Sequence, residues 1–278
     1  MKVTHSLSSV RCLSAALGLG LLAMASQANA DFMKPGVITA GSDITFAPYE
    51  YMLNGQPAGF DIEMLKGIAA SLGKTSVNVD TRFPNLIPGL QGKRFDITNS
   101  SMYITAERLK VIDMIPYLKT GEKIVTLSDS KYKPEDPAEM CGHKIGTMAG
   151  TSFLQGLMKF SQDSCVAKGK PAITISEYPT DPQVTQALLS KAVEAQITDV
   201  AVAQGVVQRL KGRVVITSDK LLYPVLIGFG VRKDDPVVKK AMEEGLSKFS
   251  KTAQYKQLFE KYHFTPVTAE DIKTIKAS

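Results

Sequence analysis

The sequence is poor in the residues that most enzyme chemistries depend on. It holds three histidines and three cysteines in 278 residues. Beyond residue 30 only His143, His263, Cys141 and Cys165 remain. A zinc site wants two more ligands than the cysteines supply, and a catalytic thiol wants a base beside it. No HExxH, no recognisable Ser–His–Asp set and no phosphate-binding loop is present, so no metal and no cofactor is expected. No basic stripe interleaved with aromatics runs along the chain, which gives no footing for a nucleic-acid partner. Long low-complexity tracts are absent too. The longest apolar run, Cys12 to Ala25, falls short of the roughly 20 residues of a membrane span.

That run has a different use. Lys2 and Arg11 precede or open it, and Ala28-Asn29-Ala30 follows it in the small-x-small pattern of a signal-peptidase site. Residues 1–30 are therefore expected to be a signal peptide cleaved near Ala30, with the mature chain exported; an uncleaved anchor is the alternative. Cys12 stands at the start of the apolar run, not at its end, which disfavours a lipoprotein. Cleavage removes two positive charges and no acid, so the net charge of +6 becomes +4. The remaining composition, 44% hydrophobic and 22% charged over the whole chain, suits one large or two modest soluble domains. Cys141 and Cys165 form an even pair in a chain expected to be exported, and are read as a disulfide.

Strand-like and helix-like segments alternate, which indicates an α/β fold. Strands are predicted at Val37–Ser42, Ser76–Val79 and Phe95–Thr98. Helices are predicted at Asp61–Leu72, Leu86–Leu90 and Thr105–Val111, the last with Thr105 as N-cap. A second block repeats the alternation: strands at Lys144–Thr147, Ile173–Ser176, Ala195–Thr198 and Val214–Thr217, helices at Thr151–Gln162, Asp181–Ser190 and Val200–Leu210. The segments Lys123–Leu127 and Leu226–Val231 flank this block. Two helices, Pro236–Ser250 and Ala253–Tyr262, and a polar tail close the chain. These last helices have no sheet of their own to cover and would return to the first block.

The stretch Gly59-Phe60-Asp61-Ile62-Glu63-Met64-Leu65-Lys66-Gly67-Ile68-Ala69 strongly resembles the signature of solute-binding protein family 3, the polar amino-acid binders of ABC importers. Further matches follow in order. Gly41 to Glu50 is similar to the first strand and aromatic loop, Phe83 to Leu90 to an aromatic turn and short helix, and Ser100 to Arg108 to the carboxylate-binding stretch. Ile145 to Ser152 is similar to the strand-to-helix turn of the second lobe, and Glu194 to Asp199 to a strand delivering an acidic contact. The resemblance implies a type II periplasmic binding protein fold, with two α/β lobes joined by two crossing strands. Lobe 1 is expected at residues 31–121 and 225–278, lobe 2 at 122–224, with hinges at Thr120–Lys123 and Tyr223–Gly228.

It also implies a ligand site. Arg108 offers a planar fork for a carboxylate; as a cation in the first turn of a helix it opposes the helix dipole, so something else must reward it. Ser100 and Ser101 lie just past a strand, where ligands of open α/β sheets bind; as ordinary turn serines they would need no ligand. Thr151 and Ser152 begin a helix after Gly150, where exposed amides can take an anion or the hydroxyls can simply cap. Asp199 is either an acceptor for a ligand ammonium or the N-cap of the helix at Val200. Phe46 and Phe83 would wall the ligand's stem, and Asp43 could meet a distal cation. Tyr103 departs from the family, which usually has serine or threonine there. Its side chain either narrows the pocket, binds a distal ligand group or turns away, and this widens the expected ligand to an amino acid or a close derivative.

The function expected is that of a monomeric periplasmic binding component delivering a small amino acid or derivative to an inner-membrane ABC permease, without enzymatic activity. A dehydratase-like enzyme on the same scaffold and a ligand-sensing module are the alternatives, since a fold does not fix a function.

Overall fold

The structure, a computed structural model, describes residues 1–2 and 32–276. The expected signal peptide lies outside the described residues apart from its first two positions. In chain order the elements are β1 Val37–Ser42, β2 Thr45–Phe46, β3 Glu50–Leu53, β4 Gln56–Ala58, α1 Phe60–Ser71, β5 Thr75–Asp80, α2 Leu86–Gln91, β6 Ile97–Thr98, α3 Ala106–Val111 and β7 Ile112–Leu127. There follow β8 Lys144–Met148, α4 Ser152–Phe160, β9 Thr174–Tyr178, α5 Asp181–Leu189, β10 Ala195–Asp199, α6 Val200–Arg209 and β11 Val214–Ile216. The chain ends with β12 Leu222–Arg232, α7 Pro236–Phe249, α8 Ala253–Tyr262 and α9 Ala269–Lys276.

Nine strands join in the order β5-β1-β6-β12-β7-β10-β8-β9, with β11 also on β7. The β1, β5 and β6 pairings are parallel, as are β8 with β9 and β10. Parallel pairs need helical crossovers, which explains the strand–helix alternation in the sequence. The two halves meet at β7 and β12, which are antiparallel to each other. The first part of β7 pairs with β12, and its Glu122–Val125 stretch pairs with β10. Two α/β lobes joined by two crossing strands result, the architecture the resemblance implied.

The lobe built on β1 is closed by the end of the chain. Helix α1 buries Phe60, Met64, Leu65, Ile68 and Ala69 on one face, the i, i+4 pattern of an amphipathic helix. The Phe60 ring lies 5.1 Å from Phe259, 5.6 Å from Tyr262 and 4.8 Å from Phe264. At Gly67 a Cβ would stand 2.2 Å from Cζ of Phe249, so α7 can approach only because this position is bare. The lobe built on β8 buries Ile145, Leu157, Val184, Leu188, Ile197 and Val206, which continue the same hydrophobic core. There Cys141 and Cys165 form a disulfide, with Cα atoms 5.6 Å apart.

The structure departs from the sequence expectations at four places. The segment after β1 is not a plain loop: β2, β3 and β4 make a small antiparallel sheet, turned at Asn54-Gly55, both at positive φ, as a two-residue hairpin requires. The helix predicted to Gln162 ends at Phe160 and widens into a π turn, Ser161–Cys165, where Ser161 Oγ accepts from the amide of Ile173. The crossing strands are longer than predicted. The polar tail forms α9, tied to β7 by a Lys119–Asp271 ion pair at 2.6 Å.

Candidate ligand site

The site forms where strand ends and helix starts of the two lobes face each other. Thr105 caps α3, its hydroxyl accepting from the amide of Arg108 at 3.2 Å. This turns the Arg108 side chain inward, where only 8% of it is exposed. Its Nη1 donates to the Tyr103 carbonyl at 2.8 Å and its Nη2 to the Gly150 carbonyl at 3.4 Å. The guanidinium carbon lies 5.3 Å from the centre of the Phe83 ring, a cation–π contact. No carboxylate forms an ion pair with Arg108 among the described residues. Burial lowers its pKa to about 10, so the cation persists at neutral pH.

Opposite Arg108, the β8–α4 turn presents Gly150, Thr151 and Ser152. Thr151 caps α4: its hydroxyl accepts from the Leu154 amide at 3.4 Å and donates to the Met148 carbonyl at 2.6 Å. The first amides of α4 have no carbonyl ahead of them in the helix. Gly150 has φ +73°, and a Cβ there would lie 2.9 Å from Pro84 Cγ of the other lobe.

Seven of the ten residues expected from the sequence, Phe46, Phe83, Ser101, Tyr103, Arg108, Thr151 and Ser152, line one cavity between the lobes, together with Met148 and Phe153. Its volume is about 10 Å³, room for roughly one water. The lobes are thus closed on each other. Phe153 is an addition to the expected set; its place one residue after Ser152 was the available signal, but a phenylalanine there reads equally as core.

The other three expected residues lie behind the wall. Asp43 is fully buried, pairs with Arg82 at 2.6 Å and accepts from the Phe83 amide at 2.8 Å. Burial raises its pKa, opposed by Thr45, that amide and Arg82. It thereby sets the turn that carries Phe83. Ser100 accepts from the Asp43 amide and donates to Glu50 at 2.8 Å. Its neighbour Ser101 sits at φ +44°, an uncommon conformation for a serine, held by Asp61, which accepts from both its amide and its hydroxyl. Glu50 and Asp61 are both wholly buried, and burial raises both pKa values.

Asp199 ends β10, where it caps α6 through the Ala201 amide at 2.8 Å. It also accepts from the Tyr49 hydroxyl at 2.9 Å, the Tyr103 hydroxyl at 2.8 Å and Thr120 Oγ1 at 2.5 Å. Burial raises its pKa against these four donors. Tyr103 therefore turns to the opposite lobe's acid; its ring meets Phe153 edge to face at 5.1 Å. Across the β7–β10 ladder Asp199 stands opposite Glu122, whose pKa is pushed up to about 8 by burial and then by Asp199. Tyr49 lies inside the aromatic stretch read from the sequence, but nothing local marks its partner. Thr120 was read only as the start of a hinge, with nothing to mark its bond to Asp199.

Residues 38–265 match the profile of bacterial extracellular solute-binding proteins, family 3. The histidine-binding periplasmic protein of Salmonella typhimurium is 27% identical over 256 residues, covering 89% of this chain and 95% of that protein. A mutant of the arginine-binding protein ArgBP from T. maritima superposes with a TM-score of 0.74 at 29% identity, over 82% of this chain and 95% of that one. The cyclohexadienyl dehydratase of Pseudomonas aeruginosa is 33% identical over 125 residues, which cover 44% of this chain and 46% of that enzyme.

Proposed function

Since the chain belongs to the bacterial extracellular solute-binding proteins of family 3, we propose that it is the periplasmic binding component of an ABC importer and captures an amino acid or a close derivative through its carboxylate. The observation that carries this reading is Arg108: a buried cation without an acidic partner among the described residues, facing a cavity walled by both lobes. A buried charge is costly until it is paired, and a ligand carboxylate would pair it in two parallel hydrogen bonds. The amides at the start of α4 add donors for the same group. Phe46 and Phe83 flank its stem. Asp43, Ser100 and Asp199 support these walls from behind.

Lobe 1 comprises residues 31–121 and 225–278, and lobe 2 residues 122–224. The partner switch along β7 supports this division, and so do the register shifts of β12 between Leu222 and Val225 and between Ile227 and Gly228. Tyr223 stands at φ +46° there. Ligand would bind one lobe and draw in the other, because only the closed form offers donors from both. The chain works as a monomer after loss of residues 1–30, and an inner-membrane permease reads the closed form. Among the residues that line the cavity none is a carboxylate, which supports capture over the proton transfers of a dehydratase.

The test is a thermal-shift and calorimetric screen of the mature protein against amino acids, their N-substituted and deaminated derivatives, and polyamines. A carboxylate ligand should raise the melting temperature, and Arg108→Ala should weaken it by about a hundredfold, the loss of a charge-assisted bidentate contact. Unchanged affinity in Arg108→Ala, or a response to polyamines alone, would overturn the reading.

A further inference from the structure

A carboxylate offers about four lone-pair sites. On Asp199 all four are taken from within the protein: Oδ1 by the Tyr49 hydroxyl and the Ala201 amide, Oδ2 by the Tyr103 hydroxyl and Thr120 Oγ1. Asp199 has no exposed surface and does not line the cavity. An α-ammonium brings three donors into the cleft and needs acceptors for them. To reach Asp199 it would have to break the Tyr103 bond and leave that phenol with the Gly121 carbonyl, 3.0 Å away. The Tyr103 ring is wedged by Phe153 of the opposite wall. Glu122, the next acid along the hinge, is paired with Asp199 in the β7–β10 register and lies outside the cavity lining.

The cavity wall carries one full charge, the Arg108 cation, with hydroxyls, three phenylalanine rings and the Met148 thioether around it. Its complement is an anion with an apolar body and no cation. From this geometry we infer that the site selects a carboxylate lacking an α-ammonium, because the Tyr103 hydroxyl occupies the place at Asp199 that an α-ammonium would take. The inference rests on the capture of a carboxylate proposed above and narrows what else the ligand carries. Tyr103 is then a specificity-determining residue: its hydroxyl pairs the acid from inside, and it closes the lobes on a ligand that brings no donor of its own.

Matched pairs that differ only in the α-ammonium decide the matter. L-Phenylalanine against 3-phenylpropionate, and L-leucine against 4-methylpentanoate, are titrated calorimetrically into the mature full-length protein. The deaminated member of a pair should bind at least about tenfold more tightly, since an ammonium taken from water with no carboxylate left to pair it is rejected. An amino acid that binds as tightly as its deaminated partner, or more tightly, overturns the inference and leaves the importer reading standing. Absence of binding by every member overturns both. Tyr103→Ser and Tyr103→Phe each free one lone pair of Asp199 and should shift the preference toward the amino acid by about tenfold or more; melting curves establish that each variant is folded. A preference unmoved in both folded variants removes Tyr103 from the specificity.

Discussion

Tyr49 and Asp199, 150 positions apart, meet hydroxyl to carboxylate at 2.9 Å. The contact joins the small β2–β4 sheet side of one lobe to the end of β10 in the other, so it exists only while the lobes are closed. Loss of one partner in a bond to a charged group costs about 1.5–3 kcal/mol. Tyr49→Phe is expected to weaken ligand binding by about tenfold, read by calorimetry. The chain has no tryptophan, so tyrosine fluorescence reports directly on residues such as this one, and the ligand-induced change should shrink in the variant.

Gly150→Ala should act as a wedge. The new Cβ would meet Pro84 across the cleft at 2.9–3.1 Å, and φ +73° suits glycine alone. Closure is obstructed while each lobe keeps its core. Ligand affinity is expected to fall by about tenfold or more, with a melting temperature of the unliganded protein lowered by only about 2–4 °C for the roughly 1 kcal/mol of backbone strain.

Glu122 gives a pH dependence with a definite sign. Its folded pKa of about 8 lies above its ordinary value of 4.5, so the native state holds a proton that the unfolded state releases. Stability from this group is full below pH 4.5 and falls as pH rises toward 8. At 1.36 kcal/mol per unit the loss has an upper limit of about 5 kcal/mol. Glu122→Gln cannot ionise. Its melting temperature should match the wild type near pH 5 and exceed it by about 4 °C or more at pH 9; parallel pH curves for the two proteins would refute this.

The Cys141–Cys165 bridge closes a loop of 24 positions, worth about 3 kcal/mol in the chain-entropy model. Replacing both cysteines with alanine should lower stability by about that amount in urea unfolding. Ligand affinity should stay within about twofold, because neither cysteine lines the cleft.

The sequence was most informative where local rules decide. The strand Val37–Ser42 and the helix Ala253–Tyr262 lie where they were predicted, and Thr105, Thr151 and Asp199 cap α3, α4 and α6. Each of these depends on neighbours within four positions. The early part of β7 was missed because Pro116 and Gly121 interrupt its pattern, although pairing with β12 carries the strand through. At the site, the line of residues around Arg108 was legible as a motif. The bonds that fill Asp199 were not: they reach from positions 49, 103 and 120, and a one-dimensional pattern does not contain such distances. The charge of Arg82 on Asp43 is a further case, since the spacing of 39 positions suggests nothing.

The packing of Phe60 against Phe259, Tyr262 and Phe264 also ties one half alone to the end of the chain. Everything that completes the β8 half lies between β7 and β12, so the strand pairings of that half need none of the last forty residues. The β1 half differs, because β12 pairs with β6 and α7 and α8 cover α1. A chain stopped before residue 259 would keep α7 on α1 but lose Phe259, Tyr262 and Phe264 from around Phe60. Such a truncation should leave the β8 half intact and bare the Phe60 ring, a difference between the two halves that limited proteolysis would read.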